Sequence, residues 1–547
     1  MAKTTTFPLR YSAYALSIAG LIISLPITLW AGAGYVIPLI FAGLTALGTW
    51  DLLQRSHTVS RNYPIIANFR YLFESVGPEI RQYFIQSDTE ERPFSREQRT
   101  IVYQRAKNVL DKRPFGSQLG MYEEGFEWMN HSLTPSKLSS SDFRIVIGKN
   151  CDKPYSTSVF NISAMSFGSL SANAILSLNT GAKKGGFYHD TGEGSISRYH
   201  RQAGGDLVWE IGSGYFGCRH PDGSFNPDMF RENARLDQVK MIEVKLSQGA
   251  KPGHGGILPG EKVTQEIAEA RGVQVGEDCV SPASHSAFSN PVELLEFLEQ
   301  LRELSGGKPV GFKLAIGHPW EWFAIVKAML ATGKKPDFIV VDGGEGGTGA
   351  APLEFINRLG MPMTEALLLV HNTLVGTNLR EDIAIGAAGK ITSAFNIART
   401  LALGADWCNA ARGYMFALGC IQALNCHTGR CPSGIATQDP RRGSKLDVPL
   451  KSERVFNYHK NTLDALQNLL EASGLKHPSE LGPEHIVRRV SKTEIHSYLD
   501  LFPFLEPGAL LEGKTGLTVF DKYWQEARYD TFEPPEFILK LRETKLR

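Results

Sequence analysis

Three cysteines lie close together late in the chain, with the spacing Cys420-x5-Cys426-x4-Cys431, and a proline follows the last. Thiolates so close in sequence indicate iron–sulfur ligation, and three without an obvious fourth favour a three-iron cluster. Zinc is an alternative, since Cys408 or His427 would be available as a fourth ligand, although zinc favours CxxC pairs. Buried free thiols are the other alternative.

A glycine-rich segment is suited to binding an anion. Residues 342–350 read DGGEGGTGA and follow the apolar run Phe338–Val341. Glycine has no Cβ, so backbone N–H groups in such a loop can surround a phosphate, and barrels often bind phosphate in their late loops. The later sequence Ala388-Gly389-Lys390 predicts a second wall of the same phosphate site. A pair of tight glycine turns is the alternative.

Two lysines mark a third segment. Lys245 ends an apolar run, and Lys251 lies in the Gly/Pro-rich stretch 249–260 that follows. Cations at the end of a strand, beside a flexible loop, are suited to binding carboxylates or flavin oxygens. An exposed loop with solvated lysines is the alternative.

These segments need a scaffold, and the pattern between them predicts an α/β fold. The predicted strands are Phe160–Ser163, Met241–Lys245, Val310–Leu314, Asp337–Val341, Ala384–Ala388 and Trp407–Ala410. The predicted helices between them include Pro291–Leu304, Trp320–Ala331 and Ser393–Leu403. Chemistry-bearing segments directly after strands favour a (β/α)8 TIM barrel, and the lack of GxGxxG after a first strand weighs against a dinucleotide fold.

The N-terminus predicts a transmembrane hairpin. No Asp, Glu, Lys or Arg occurs from Tyr11 to Trp50, which is long enough for two spans with a turn at residues 31–34. Basic residues, among them Lys3 and Arg55, flank the hairpin and not its turn, so we expect the inner (plasma) membrane with the catalytic domain facing the cytoplasm. A cleaved signal peptide and a helix pair buried in a soluble core are the alternatives.

Composition limits the remaining classes. The 547 residues carry 58 Lys+Arg and 57 Asp+Glu, a net charge of +1, which gives no support for nucleic-acid binding. Seven cysteines, an odd number, favour a reducing compartment. We expect four regions: a transmembrane hairpin at 1–54, a helical packing region at 55–149, the barrel at 150–460 and a C-terminal helical extension with a tail at 461–547.

From about Asn150 to Tyr458 the chain resembles the FMN-binding synthase domain of the glutamate synthase family. The segments that carry the resemblance are Ala164–Gly168, Thr191–Gly194, Lys245–Gly260, Gly343–Pro352, His371–Arg380, Ala410–Cys420 and Cys426–Gln438. The resemblance implies the barrel, FMN, and a 3Fe-4S cluster on the three cysteines of the first motif.

The resemblance also implies roles for single residues. Those expected to contact the flavin are Ala164, Met165, Ser166, Gln248 and Lys313, with Lys313 at the N1/O2 edge. Those expected to hold its phosphate are Gly344, Gly347, Thr348 and Gly389. The catalytic residues are Lys245, Lys251 and Arg271, which bind the 2-oxo acid and its imine, and Glu193, which senses or relays a proton.

The implied reaction is the reduction of a 2-imino acid, formed from an oxo acid such as 2-oxoglutarate and ammonia, to an amino acid. Ammonia would be free or come from a separate glutaminase subunit, and electrons from ferredoxin or a membrane redox partner would pass through the cluster. Ile257 departs from the glutamine that glutamate-forming members have, which points to an altered oxo-acid pocket. The alternatives are an amino-acid dehydrogenase or amine-transferring flavoenzyme that donates electrons to a membrane acceptor, and a non-enzymatic scaffold subunit.

Overall fold

The computed structural model describes residues 9–54, 56–258, 260–513 and 515–545, without the side chains of Ile257 and Glu261. Lys3 and Arg55, two of the charges expected to flank the hairpin, lie outside the described residues. The chain divides into two compact units, Met1–Arg96 and Glu97–Arg547.

The α-helices, numbered in chain order, are α1 (Ser12–Ala31), α2 (Val36–Leu53), α3 (Thr58–Asn62), α4 (Ile66–Ile80), α5 (Arg96–Ala106), α6 (Ala172–Gly185), α7 (Arg198–Gln202), α8 (Pro227–Ala234), α9 (Gln265–Arg271), α10 (Pro291–Ser305), α11 (Pro319–Thr332), α12 (Leu353–Arg358), α13 (Met363–Gly376), α14 (Ala394–Ala402), α15 (Arg412–Leu418), α16 (Pro440–Gly443), α17 (Val448–Ala472), α18 (Tyr498–Leu501), α19 (Ala509–Glu512) and α20 (Glu536–Lys545).

The strands are β1 (Glu127–Met129), β2 (Arg144–Ile147), β3 (Tyr155–Ser158), β4 (Phe160–Ile162), β5 (His189–Asp190), β6 (Leu207–Ile211), β7 (Val239–Lys245), β8 (Ile257–Leu258), β9 (Cys279–Val280), β10 (Val310–Leu314), β11 (Phe338–Asp342), β12 (Ala384–Ala388), β13 (Trp407–Ala410), β14 (Ile486–Arg489) and β15 (Ile495–Ser497).

Eight parallel strands close into the predicted TIM barrel, in the order β10-β11-β12-β13-β4-β5-β6-β7. The six strands predicted from the sequence are all confirmed within about two residues. The two that the sequence analysis did not locate are β5 and β6. Because all eight strands run in one direction, their carboxyl ends and the loops that follow meet at one mouth of the barrel.

Local sequence signals fix the ends of the barrel helices. Asn290 caps α10 by accepting a hydrogen bond from the backbone N–H of Glu293, and Pro291 occupies the first helical position. Gly306, in the left-handed region at φ 76°, ends the same helix. Such caps place the helix between β9 and β10 on the outside of the barrel, as the alternation of strands and helices predicts.

The two apolar helices near the N-terminus, α1 and α2, are each long and apolar enough to cross a membrane. Gly32, at φ 66°, ends α1 at the predicted turn. Few of their side chains are buried, which disfavours the reading as the buried core pair of a soluble domain. Polar contacts join the two helices, including Tyr14 Oη to Thr49 Oγ1 at 2.8 Å.

The flanking regions contain fewer helices than the sequence suggests. Residues 107–149 form no helix and contribute β1 and β2. In the C-terminal region, β14 pairs with β1 and β15 in a three-stranded antiparallel sheet. These strands have only three or four residues, and β1 pairs with β14 across more than 350 positions of sequence, so local patterns carry little sign of the sheet.

Candidate functional site

An open cleft of about 330 Å³ lies at the carboxyl end of β7. The residues that line it are Glu193, Ser213, Lys245, Leu246, Ser247, Gln248, Lys251, Gly253, His254, Gly255, Gly256, Pro282 and Ala283. Three predicted site residues, Glu193, Lys245 and Lys251, therefore line one cleft together with Gln248. This position at the carboxyl end of a strand is where TIM-barrel active sites occur.

Glu193 is the negative centre of this cleft. Its Oε2 lies 3.0 Å from Lys245 Nζ, and the two side chains are 24% and 10% exposed. Burial acts to raise the pKa of Glu193, but Lys245, and beyond it Lys251 and Arg271, outweigh burial and lower the pKa to about 2. Glu193 is therefore a carboxylate throughout the neutral range.

The other two cations near Glu193 are Lys251, in the loop after β7, and Arg271, which is buried. Burial lowers the pKa of Lys251, with Glu193 acting in the opposite direction. Arg271 is buried at the end of α9, where its Nη2 donates to the carbonyl of Phe167 at 3.4 Å and its guanidinium stacks over Phe216. Its Nε finds no partner among the described residues. That unpaired buried donor indicates that Arg271 is available to an anionic ligand.

A buried histidine that the sequence analysis did not select supports Lys245. The ring of His285 lies 2.8 Å from the carbonyl oxygen of Lys245 through Nε2, and 3.0 Å from Tyr215 Oη through Nδ1. Burial lowers the pKa of His285 to about 4, so the ring is neutral at physiological pH. A neutral ring can donate to the carbonyl and accept from the tyrosine, which fixes the end of β7.

The segment Ala164–Ser166 packs against the loop that carries Glu193. The N–H of Met165 donates to the carbonyl of Asp190 at 3.0 Å. A Cβ on Gly192, whose φ is 65°, would lie 2.9 Å from the backbone nitrogen of Ser166, so only glycine permits this approach. Ala164 and Ser166 are partly exposed, whereas Met165 is buried. The two exposed residues form an edge on which a planar ligand can lie.

Inside the barrel, Lys313 on β10 is surrounded by carboxylates. Its Nζ contacts Glu210, lies 3.2 Å from Glu243 Oε1 and lies 3.9 Å from Asp190 Oδ2, and all four residues are buried. Among the described residues, these three carboxylates form the group that brings metal-binding atoms within 4.8 Å of one another. The ammonium of Lys313 already occupies the position that a metal ion would take.

This cluster has more negative groups than its one cation can neutralise. Burial raises the pKa of Glu243 to about 7, with Lys313 opposing and Glu210 adding to the rise. Burial also raises the pKa of Asp190 and of Asp342, while the carboxylates raise the pKa of Lys313 against its own burial. The acidic residues escaped the sequence analysis, although Glu210 among the apolar residues of β6 and Glu243 between Ile242 and Val244 of β7 are unusual enough to have signalled them.

The glycine loop after β11 and the loop after β12 lie side by side and form the two walls of one candidate site. The N–H of Gly343 donates to the carbonyl of Ala388 at 2.8 Å, which joins the two loops. The N–H groups of Gly347, Thr348 and Gly389 have no acceptor in the described part of the chain. Free N–H groups on two facing loops suit a phosphate.

The predicted phosphate residue Gly344 has a different position. Its N–H donates to the carbonyl of Met361 at 2.9 Å, and a Cβ there would lie 3.1 Å from the carbonyl oxygen of Gly360. Gly344 therefore permits a close approach of two chain segments and does not offer its N–H to a ligand. The loop is also connected to the lysine loop, because Gly249 N–H donates to Asp342 Oδ2 at 2.8 Å.

The three cysteines of the predicted cluster lie in the loop after α15. Burial raises the pKa of Cys420, and Cys426 and Cys431 are near enough to raise it further. At Cys431 burial also acts upward, but the Ser433 hydroxyl and the N–H groups of three nearby residues outweigh it and lower the pKa. Hydrogen bonds to sulfur of this kind are typical of iron–sulfur ligands.

Two cations border the same loop. Arg412 Nη1 lies 3.9 Å from Cys426 Sγ, and its Nη2 donates to the carbonyl of Thr348 at 2.7 Å. Lys262 donates to the carbonyl of His427 at 2.8 Å. Arg412, which the sequence analysis did not select, thus connects the glycine loop after β11 with the cysteine loop. Of the two sequence candidates for a fourth zinc ligand, Cys408 is buried in β13 beside Thr400, whereas His427 follows Cys426 in the cysteine loop.

Comparison with known proteins identifies the family of the chain. Residues 128–476 match the family model described as the conserved region in glutamate synthase. The chain is 39% identical over 480 residues to the glutamate synthase large subunit-like protein YerD of Bacillus subtilis, covering 80% of this chain and 91% of that protein. It is 34% identical over 353 residues to archaeal glutamate synthase [NADPH] of Methanocaldococcus jannaschii, covering 64% of this chain and 65% of the relative.

The chain thus spans less than two thirds of the length of the archaeal-type enzymes that it matches. Among solved structures, flavocytochrome b2 matches 81% of the chain and 91% of its own length with 12% identity and a TM-score of 0.42, too low to support any argument. The family match covers more than half of the chain and YerD is matched nearly end to end. The chain therefore belongs to the glutamate synthase family and is an oxidoreductase of the class that acts on CH–NH2 groups.

Proposed function

We propose that this protein is a membrane-anchored flavoenzyme that reduces a 2-imino acid, formed from an oxo acid and ammonia, to an amino acid. The observation that carries the proposal is the charge at and beside the cleft. Lys245 and Lys251 line the cleft, and Arg271 lies close enough to act with them on Glu193, so three positive charges face one negative charge, a net charge of +2. This balance suits a dicarboxylate such as 2-oxoglutarate, because each carboxylate can pair with a cation.

The flavin site is proposed from the same mouth of the barrel. The residues that would hold FMN are Gly347, Thr348 and Gly389 at the phosphate, Ala164–Ser166 along the ring, and Gln248 and Lys313 near its polar edge. FMN bound there would supply hydride transfer. Lys313, which its carboxylate neighbours keep protonated, would present a positive charge to that edge.

Glu193 would face the substrate nitrogen as a carboxylate. It can accept a hydrogen bond from an ammonium or iminium group there, and its ion pair with Lys245 holds it in that position. The lysines and Arg271 would orient the oxo acid.

The cysteine loop is proposed to hold a 3Fe-4S cluster through Cys420, Cys426 and Cys431. The hydrogen bonds to Cys431 and the cations Arg412 and Lys262 suit an anionic cluster. Such a cluster would supply one-electron transfer from ferredoxin or a membrane redox partner. Anchorage by α1 and α2 in the inner membrane, with the barrel in the cytoplasm, belongs to the same proposal, as does ammonia that is free or delivered by a glutaminase subunit.

The direct test is turnover of detergent-purified protein with reduced ferredoxin, ammonium and each of a panel of oxo acids. Amino-acid formation with a dicarboxylic oxo acid is the expected result. A variant that tests the substrate class is Arg271→Gln. It removes one cation and should raise the KM for dicarboxylic oxo acids more than for monocarboxylic ones. No turnover with any oxo acid, in protein that contains flavin and iron, would refute the proposal.

A second candidate follows from the two apolar helices. An anchored enzyme could oxidise an amino acid and deliver electrons to a membrane acceptor, which would reverse the reaction. Quinone reduction driven by an amino acid, in protein reconstituted into lipid, would favour this candidate over the first.

A further inference from the structure

The helix α4 and the helical turn Arg81–Ile85 after it carry an uncovered apolar face. Its residues in α4 are Ile66, Phe69, Leu72, Phe73, Val76 and Ile80. At 100° per residue they fall within an arc of about 120°, and Phe84 in the following turn continues it. Phe69, Phe73 and Phe84 are 59%, 63% and 84% exposed. An uncovered stripe of this size usually marks a surface that binds something apolar.

Charged and polar side chains lie on the other side of the same helix. Arg70, Glu74, Ser75 and Glu79 lie outside the arc, and Arg70 pairs with Glu74 at 2.7 Å on an exposed surface. At 100° per residue, Arg70 and Arg81 fall beside one edge of the apolar arc. The helix therefore combines a broad apolar face with a charged one and basic residues at the boundary, which is the pattern of helices that lie in a membrane interface.

The position of α4 supports the same occupant. Asp51, buried at the end of α2, accepts hydrogen bonds from the backbone N–H of Ile65 at 2.9 Å and from Asn68 Nδ2 at 2.7 Å. These bonds hold the start of α4 against the end of the second apolar helix. Trp50 at that end is 68% exposed, as indoles at a membrane surface are. With α2 across a bilayer, α4 therefore begins at the level of the headgroups.

We propose that the apolar face of α4 lies in the headgroup–acyl boundary of the same bilayer that α1 and α2 span, so that the protein binds the membrane through a hairpin and an interfacial helix. A lipid surface is the occupant because the face begins where the second span ends, and because Arg70 and Arg81 can pair with anionic headgroups. The inference rests on the membrane anchorage in the proposed function.

The test places a photoreactive residue at single positions of the full chain in nanodiscs of phosphatidylethanolamine and phosphatidylglycerol. Phe73→p-benzoylphenylalanine probes the apolar face, and Ser75→p-benzoylphenylalanine, about 160° away on the same helix, is the matched control. Both positions are exposed, so neither change should affect folding. After irradiation, mass spectrometry should detect about tenfold more lipid adduct at position 73 than at position 75.

A third variant, Ile22→p-benzoylphenylalanine in α1, separates this inference from the anchorage. Lipid adducts at positions 22 and 73 but not 75 would support both. Adducts at 22 alone would overturn the interfacial helix and leave the anchor intact. Absence of adducts at 22 would overturn the anchor itself. Cross-links from position 73 to a second copy of the chain, or to its own barrel, would show that protein covers this face and would also overturn the inference.

Discussion

Replacing Lys245 by methionine tests the electrostatics of the candidate site. Lys245 Nζ lies 3.0 Å from Glu193 Oε2, and after burial it is the strongest influence on the pKa of that carboxyl. Methionine has a similar length and no charge. In the Lys245→Met variant Glu193 keeps its burial but retains only the more distant Lys251 and Arg271 as cations.

The size of the effect follows from the pKa of Glu193. Its decrease from 4.5 to about 2 corresponds to about 3 kcal/mol of extra stabilisation of the carboxylate. Because the pKa is depressed, this stabilisation is present above about pH 4.5 and is lost as the pH falls toward 2. With Lys245 gone and burial unchanged, we expect the pKa of Glu193 to return to about 4.5 or above.

The assay is the affinity for 2-oxoglutarate, read from the perturbation of the flavin absorption spectrum, between pH 4.5 and 7.5. In the parent protein Glu193 stays ionised over this range, so its charge adds no pH dependence. In Lys245→Met the affinity should be lower by about tenfold or more at pH 7.5 because a charge-assisted hydrogen bond is lost. It should then recover as the pH falls, because protonation of Glu193 removes its repulsion of the ligand.

Two controls make the result specific. Lys334→Met removes an exposed lysine that pairs with Glu296 and should change neither the affinity nor its pH dependence. The double variant Lys245→Met/Glu193→Gln has no carboxylate to protonate, so at pH 7.5 it should bind about as tightly as Lys245→Met binds at low pH, with no further pH dependence. A single Lys245→Met variant whose affinity is independent of pH from 4.5 to 7.5 would refute the reasoning that this lysine holds Glu193 ionised.

Three further predictions concern the surroundings of the cleft. Glu243→Gln should raise the melting temperature at pH 8 but not at pH 5, with a gain of about 2 kcal/mol in the free energy of unfolding at pH 8. The reason is that the pKa of this buried carboxyl is raised to about 7, so the protein loses stability as the pH rises toward and through that value. Equal melting temperatures of parent and variant at pH 8 would contradict this. Gly249→Ala should lower the flavin content per chain in absorbance measurements, because a Cβ there would overlap the carbonyl oxygen of Gly343; full flavin content would show that the two loops can separate. Ile257→Gln should raise kcat/KM for 2-oxoglutarate about tenfold by adding a hydrogen bond, and no change would show that this position does not contact the substrate.

Much of the barrel could be predicted from the sequence because its strands are buried on both faces. Val310–Leu314 and Phe338–Asp342 are short apolar runs bounded by glycine, proline or charge, which is the pattern of parallel strands. His189–Asp190 has only two residues, both polar, and Leu207–Ile211 carries Glu210. The pattern of the first is too short and too polar to predict a strand, whereas the second keeps four apolar residues of five and escaped the sequence analysis despite them.

The partners inside the barrel could not be predicted for a related reason. Lys313 was selected by its resemblance to a flavin contact, but Asp190, Glu210 and Glu243 come from three other strands, up to 123 positions earlier in the sequence. Periodicity within one strand does not reveal which neighbour a side chain faces; only the closed strand order does. The lysines of the cleft were easier to predict from the sequence, because Lys245 ends β7 and Lys251 lies in the loop that follows it.

The pKa values of Glu193 and Glu243 are shifted in opposite directions, although both side chains belong to the same barrel domain. Glu193, at the mouth, is surrounded by cations and keeps a pKa of about 2, whereas Glu243, in the interior, shares one lysine with other acids and has a pKa of about 7. Environments that separate two carboxyls in this way assign them different roles. A permanent anion suits the group that faces an ammonium or iminium, and a group that titrates near neutrality can adjust the charge beneath a ligand whose own charge changes. The excess of acids around Lys313 is balanced in part by protonation, because burial and the neighbouring Glu210 raise the pKa of Glu243 to about 7 against the effect of Lys313.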